Sequence, residues 1–179
     1  LHSLMQEVQL GADAMLQSQN ARLVLSLPDP DVVILGNKTA LAGALQNLIH
    51  NALTIKPQNA VIKLAANRQS DNLDWVNLSV TDNGPGINVE NINRVFEPFF
   101  TTKSNGTGLG LAVVRSVAQS HQGSVQVKNL ADGGACFTLC LPTFEAGQTQ
   151  QQVFASTHQV IEPTQKPQPQ QYFADAARS

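Results

Sequence analysis

A chain of 179 residues, 42% hydrophobic but only 5% aromatic, has the length for one domain with an aliphatic core. Its net charge of −2 gives no electrostatic ground for a nucleic acid or an anionic membrane as partner, and no apolar run approaches the ~18 residues of a membrane-spanning helix. The opening residues Leu1 to Glu7 lack the basic and apolar regions of a signal peptide, and without an initiator Met the chain reads as a piece of a longer protein.

In chain order, Leu4, Val8, Ala12, Met15 and Leu16 recur at helical intervals and predict an amphipathic helix over 3–19. Residues 22–27 alternate Leu23, Leu25 and Leu27 with Val24 and Ser26 as a strand does. Pro28-Asp-Pro30 then makes a turn into a second short strand, Val32 to Leu35. Asn37 suits the N-cap of a helix reaching Ile55, with Leu41, Leu45, Leu48 and Ala52 on one face and Pro57 beyond its end. Residues 60–66 and 74–81 read as a pair of strands. From Asn83 to Gly110 the chain is mostly loop, with a short helical piece over 89–95. A helix follows from about Leu109 to Ser120, for which Gly123 is the natural C′ residue. Ser124 to Lys128 and Ala135 to Leu141 form a hairpin around Asp132-Gly-Gly134.

Beyond Pro142 the composition shifts. The expected division is a domain over 1–144, led by the helix within 1–20, and a Gln/Pro-rich disordered tail over 145–179. A docking role for the tail is the rival reading. Cys136 and Cys140 are roughly 13 Å apart on a strand, too far for a disulfide. They also fit no zinc spacing, so both are expected to be small packed residues in a reducing compartment.

Four stretches carry the chemistry. Asn47 and Asn51, four residues apart, share one face of their helix. Amides in an apolar helix need partners, and their neutral oxygens suit a hard Mg²⁺ that keeps waters and phosphates as its other ligands; taken alone they read equally as cap or surface amides. Asp82-Asn-Gly-Pro-Gly86 follows a strand, where a carboxylate can accept a hydrogen bond from the exocyclic amine of adenine, although a plain Asp-Asn-Gly turn fits the same residues. Phe96 to Lys103 carries Phe99 and Phe100 as anchors of a flexible cover, with Thr102 and Lys103 near the terminal phosphates; a solvated lysine is the bland alternative. Gly106-Thr-Gly-Leu-Gly-Leu111 opens a helix, whose free N-terminal amides attract phosphate. It is neither a Walker A loop nor a Rossmann fingerprint, and alone it could serve only helix packing.

In this order the four stretches resemble the N, G1, F and G2 boxes of the catalytic ATP-binding domain of two-component sensor histidine kinases, over about residues 1–142. The resemblance implies a two-layer α/β sandwich of the Bergerat (GHKL) type, a mixed sheet on one side and helices on the other, with ATP and Mg²⁺ as ligands. Carried over by position, Asn51 would bind Mg²⁺, and Asn47 and Lys103 would assist at the phosphates. Asp82 would read adenine beside Gly84, Gly86 and Ile55. Thr102, Gly106, Thr107, Gly108, Leu109 and Gly110 would line the phosphate cradle. Related ATPases of this fold (type II topoisomerases, Hsp90 chaperones, mismatch-repair proteins) place a glutamate four residues before the magnesium asparagine. Here Asn47 stands there and has no useful basicity, so a histidine on an upstream dimerisation and phosphoacceptor domain is the expected nucleophile. None of His2, His50, His121 or His158 lies in the family's acceptor pattern. The implied partners are that domain, a second copy in a full-length homodimer, and a response regulator, with a cytoplasmic catalytic domain. The short lid and the Leu111 to Val117 helix look closer to nitrogen- and flagellar-regulatory sensor kinases than to osmosensing ones. A non-catalytic nucleotide-binding scaffold and a serine kinase of the same fold are the alternatives.

Overall fold

The computed structural model describes residues 1–27, 32–56, 58–104 and 106–144. Their elements follow as α1 (His2–Ser18), β1 (Arg22–Ser26), α2 (Lys38–Ile55), β2 (Val61–Arg68), β3 (Trp75–Asp82), α3 (Gly110–Ser120), β4 (Ser124–Asn129) and β5 (Ala135–Pro142), with a 3-10 turn at Val89–Asn91. The strands form one sheet in the order β1-β2-β3-β5-β4. β1 runs parallel to β2, and the other neighbours are antiparallel. The parallel pair is bridged by α2, because parallel strands need a crossover.

Alternation makes the sheet one-sided. In β3, Val76, Leu78, Val80 and Asp82 are buried while the residues between them are only half-buried. Leu4, Met5 and Val8 of α1, Leu45 and Leu48 of α2, and Val114 of α3 join the inward strand residues in one aliphatic core. The result is a two-layer α/β sandwich with a mixed sheet, and one face of α1 contributes to its core. The phase that buries Val76, Leu78 and Val80 carries Asp82, the last residue of β3, to the helix-facing side. A core-forming pattern thus delivers a carboxylate to the mouth between the layers.

Local sequence explains how α2 and α3 are held. Asn37 caps α2, its Oδ1 accepting the Ala40 N–H at 3.0 Å, an arrangement worth about 1 kcal/mol. α3 lies antiparallel to α2. Its first residue, Gly110, is beside Asn47, to whose Oδ1 an added Cβ would come within 3.8 Å. Its C-cap, His121, reaches back to the start of α2, Nε2 accepting the Asn37 N–H at 2.9 Å. Nδ1 lies 2.7 Å from the Val117 carbonyl, so it carries the proton and donates there.

Three expectations need correction. Residues 32–35 form no strand: the Val32 carbonyl accepts the Leu1 amino group at 3.4 Å and the Val33 carbonyl accepts the Phe144 N–H at 2.8 Å, so single bonds to distant residues rather than a ladder occupy them. The helical piece over 89–95 shrinks to the turn at Val89–Asn91. At the end of α3 the left-handed residue is Gln122, at φ +58°, not Gly123. Gly123 donates to Ala118 O at 2.9 Å and Gln122 to Gln119 O at 3.0 Å, a Schellman closure. The glycine is needed for space instead, since a Cβ there would run into the Cys140 carbonyl oxygen. The turn at 28–30, the proline at 57 and the segment 145–179 lie outside the described residues. Both cysteines are free, Cys140 buried and Cys136 half-buried.

Candidate functional site

The four stretches meet around one cavity of about 830 Å³ between the helix layer and the loops that follow β3 and precede α3. Asn47 and Asn51 border it from α2, both half-buried, as their four-residue spacing requires. Ile55 and Gly86 border one end. Thr102, Lys103, Gly106, Thr107, Gly108 and Gly110 border the other. Asp82, Gly84 and Leu109 are not among its lining residues.

At the first end, Asp82 Oδ1 accepts the Gly84 N–H at 2.8 Å and the Ala135 N–H at 3.4 Å. Its Oδ2 accepts no hydrogen bond among the described residues. Only glycine fits at 84 without crowding: a Cβ would stand 2.9 Å from Asp82 Oδ1 and 3.4 Å from Ile55 Cγ2. Gly84 thus separates the Asp82 carboxylate from Ile55, which with Ile87 and Phe137 gives this end of the cavity apolar walls. Phe137 is itself braced edge-on by Phe96, with ring centroids 6.2 Å apart. Such a lining accepts a flat heterocycle with an amine donor at its edge.

The opposite end is polar and cationic. Lys103 Nζ donates to Asn51 Oδ1 at 3.1 Å, and burial holds the ammonium below its usual lysine pKa. The glycine loop and the lid residues are clasped together. Phe99 N–H donates to the Gly108 carbonyl at 3.0 Å, and both residues have positive φ, +65° and +68°. A Cβ on Gly108 would collide with the Phe99 backbone, and one on Gly106 with Thr101 Oγ1. The N-cap of α3, Leu109, supplies no side-chain hydrogen bond, so the first amides of this 11-residue helix are not capped by that side chain. The Arg94 guanidinium covers the ring of Phe100, another lining residue, at 4.6 Å.

The donor set bears on magnesium. Among the described residues no group of three or more His, Cys, Asp and Glu could hold a metal. Asn51 Oδ1 nevertheless already accepts a cationic donor. Neutral amide oxygens such as those of Asn47 and Asn51 suit a Mg²⁺ that takes its remaining ligands from phosphates and water.

Sequence reading passed over two asparagines that hold this architecture. Asn83 Oδ1 takes the Val61 N–H at 2.9 Å, and its carbonyl takes Lys56 Nζ at 3.2 Å, joining the β3 loop to the end of α2. Asn129 at the end of β4 bonds twice to Ile87. Nothing local flags either residue, because both partners are distant in sequence.

Residues 36–145 match the family model described as histidine kinase-, DNA gyrase B-, and HSP90-like ATPase. Sensor histidine kinase ZraS of Escherichia coli O157:H7 is 45% identical over 102 residues, covering 57% of this chain and 22% of ZraS. Sensor-like histidine kinase SenX3 of Mycobacterium bovis (strain ATCC BAA-935 / AF2122/97) is 38% identical over 115 residues, covering 61% and 27%. The chain thus spans about a quarter of the length of these curated relatives. The catalytic domain of histidine kinase ThkA, in a nucleotide-free form, superposes with a TM-score of 0.71 at 29% identity, covering 79% of this chain and 91% of that domain. ThkA in complex with response regulator protein TrrA gives a TM-score of 0.67 at 26% identity, over 79% and 40%.

Proposed function

The chain belongs to the histidine kinase-, DNA gyrase B-, and HSP90-like ATPase family and is an ATP-binding catalytic domain of the sensor histidine kinase kind; from that premise we propose how its residues divide the work. Adenine enters the apolar end of the cavity and donates its amine to Asp82. Guanine presents an acceptor at the same edge and is disfavoured, since a hydrogen bond to an ionised group is worth roughly 1.5–3 kcal/mol. The triphosphate runs toward the start of α3, where Gly106, Gly108 and Gly110 let it approach the backbone amides. Asn51, with Asn47 beside it, would hold Mg²⁺. When bound, the ion would offset charge on the phosphates and fix their orientation. Lys103 supplies a second positive charge at the γ end.

The γ-phosphoryl group then passes to an imidazole nitrogen on an upstream dimerisation domain: the N–P bond forms as the bond to the β,γ-bridging oxygen breaks, and ADP leaves. The protein contributes position and charge rather than a covalent step. Asn47 favours transfer over hydrolysis, because a carboxamide cannot take a proton from water. The convergence of all four stretches on one cavity is the observation that supports this reading. In the complete protein two copies would pair through the acceptor domain, the phosphohistidine would supply an aspartate on a response regulator, and the domain would lie on the cytoplasmic side, where ATP is. The tail over 145–179 lies outside the transfer machinery in this proposal.

The test mixes the 179-residue chain with its separately prepared upstream acceptor domain and γ-labelled ATP. Acid-labile, base-stable label on the acceptor is expected, and none on the chain alone. Tight ATP binding with no transfer would instead make the chain a nucleotide-binding scaffold. Acid-stable label would indicate a hydroxyl acceptor.

A further inference from the structure

The base end of the cavity is closed by the loop 83–88, which has few internal bonds. Gly84 N–H is tied to Asp82 Oδ1 and Glu90 N–H to Asn88 Oδ1. Between them, among the described residues, the only hydrogen bonds to the backbone of 85–87 come from one side chain. Asn129 Oδ1 accepts the Ile87 N–H at 2.8 Å, and Asn129 Nδ2 donates to the Ile87 carbonyl at 2.7 Å. One carboxamide thus satisfies both polar groups of a single residue, as a neighbouring strand would. It comes from the last residue of β4, 42 positions away in sequence.

The fit is tight. A Cβ on Gly86, which has φ +81°, would stand 2.9 Å from Asn129 Oδ1 and 3.4 Å from the Gly134 carbonyl. On the far side of that contact Gly86 and Ile87 face the cavity. The same hairpin meets the start of the loop: Ala135 N–H donates to Asp82 Oδ1 at 3.4 Å, and a Cβ on Gly134 would overlap the Asp82 carbonyl oxygen. The β4–β5 hairpin is thus the back plate of the base pocket, and Asn129 is its fastening. The phosphate end is held by other residues, through the Lys103–Asn51 and Phe99–Gly108 bonds.

We propose that Asn129 is a positioning residue for the nucleobase: it holds Gly86 and Ile87 at the distance that lets the ring lie between Ile87 and Ile55 with its amine on Asp82. It touches no ligand and acts through the loop. This role rests on the nucleotide reading of the cavity and assigns adenine selectivity partly to the hairpin. An amide is required, because the site needs one acceptor and one donor on the same planar group. Aspartate would face the Ile87 carbonyl with a second acceptor.

The experiment measures Mg²⁺·ADP, Mg²⁺·GDP and Mg²⁺·tripolyphosphate binding by calorimetry on the full chain, as wild type, Asn129→Ala and Asn129→Asp. Both variants should bind ADP about five- to twentyfold more weakly, with the ADP-to-GDP preference narrowed to match and tripolyphosphate affinity unchanged. Glutamine, offering the same two groups on a longer arm, should recover part of the loss. A general loosening of the domain would instead weaken ADP and tripolyphosphate in parallel, and that result overturns the proposal. So would ADP affinity and base preference equal to wild type in Asn129→Asp. If the wild-type chain binds no ADP, the nucleotide reading itself falls and takes this role with it.

Discussion

Replacing Lys103 with Met should change the affinities for two nucleotides in opposite directions. Lys103 Nζ stands 3.1 Å from Asn51 Oδ1, the oxygen assigned to Mg²⁺ above. An ammonium and a Mg²⁺ sharing that oxygen would lie about 4 Å apart and repel by about 8 kcal/mol at an effective dielectric of 20. One charge-assisted hydrogen bond nets about 1.5–3 kcal/mol, so the metal wins and the lysine moves. With ADP it has no γ-phosphate to move to, and breaking the bond is a cost. Lys103 is only half-buried, so water and screening trim that cost to about 1 kcal/mol. Removing the ammonium should therefore tighten Mg²⁺·ADP about fivefold. With the β,γ-imido analogue of ATP the wild-type lysine gains a phosphate, and its loss should weaken binding by about tenfold or more. Mg²⁺-free ADP should hardly change. Calorimetry on the full chain with the three ligands reads all of this directly. A Lys103→Met variant that weakens ADP and the imido analogue by the same factor would refute the competition argument.

Three further perturbations follow from the geometry. Gly108→Ala places a methyl against the Phe99 backbone at φ +68°, so ATP affinity should fall by more than about tenfold while the Tm moves little, checked by calorimetry alongside a thermal scan. Asp82→Asn removes the ionised acceptor for the base amine but can still accept from Gly84, so the preference for ADP over GDP should narrow by about ten- to a hundredfold in a competition assay. His121→Ala breaks the bond to Asn37 N–H and leaves α2 and α3 joined by packing alone at that end; a loss of about 1–1.5 kcal/mol, or about 3–6 °C in Tm, is expected by thermal denaturation.

The parts of this molecule that were legible in its sequence are those governed by short-range periodicity. The 3.6-residue repeat put Asn47 and Asn51 on one face and Leu41, Leu45, Leu48 and Ala52 on another, and α2 has both. Asn37 capped its helix as expected. The alternation of β3 carried Asp82 inward, although its link to Ala135 needed the hairpin to be placed first. What escaped depends on partners far along the chain. Residues 32–35 have the composition of a strand, yet the carbonyls of Val32 and Val33 are taken up by Leu1 and Phe144. Gly123 has the sequence position of a conformational requirement but meets a spatial one, set by Cys140 on β5. The carboxamides of Asn83 and Asn129 are indistinguishable, residue by residue, from those of any polar loop.

The attachment of His121 to Asn37 makes α3 a lever with its fulcrum at the end farthest from the cavity. An 11-residue helix is about 16 Å long, so a tilt of only about 4° about that pin would carry Gly110 some ~1 Å past Asn47. Displacements of that size can alter a transfer rate about a hundredfold. On the proposed reading, an imidazole at the far end of α3 would thereby help to set the aim of the transfer.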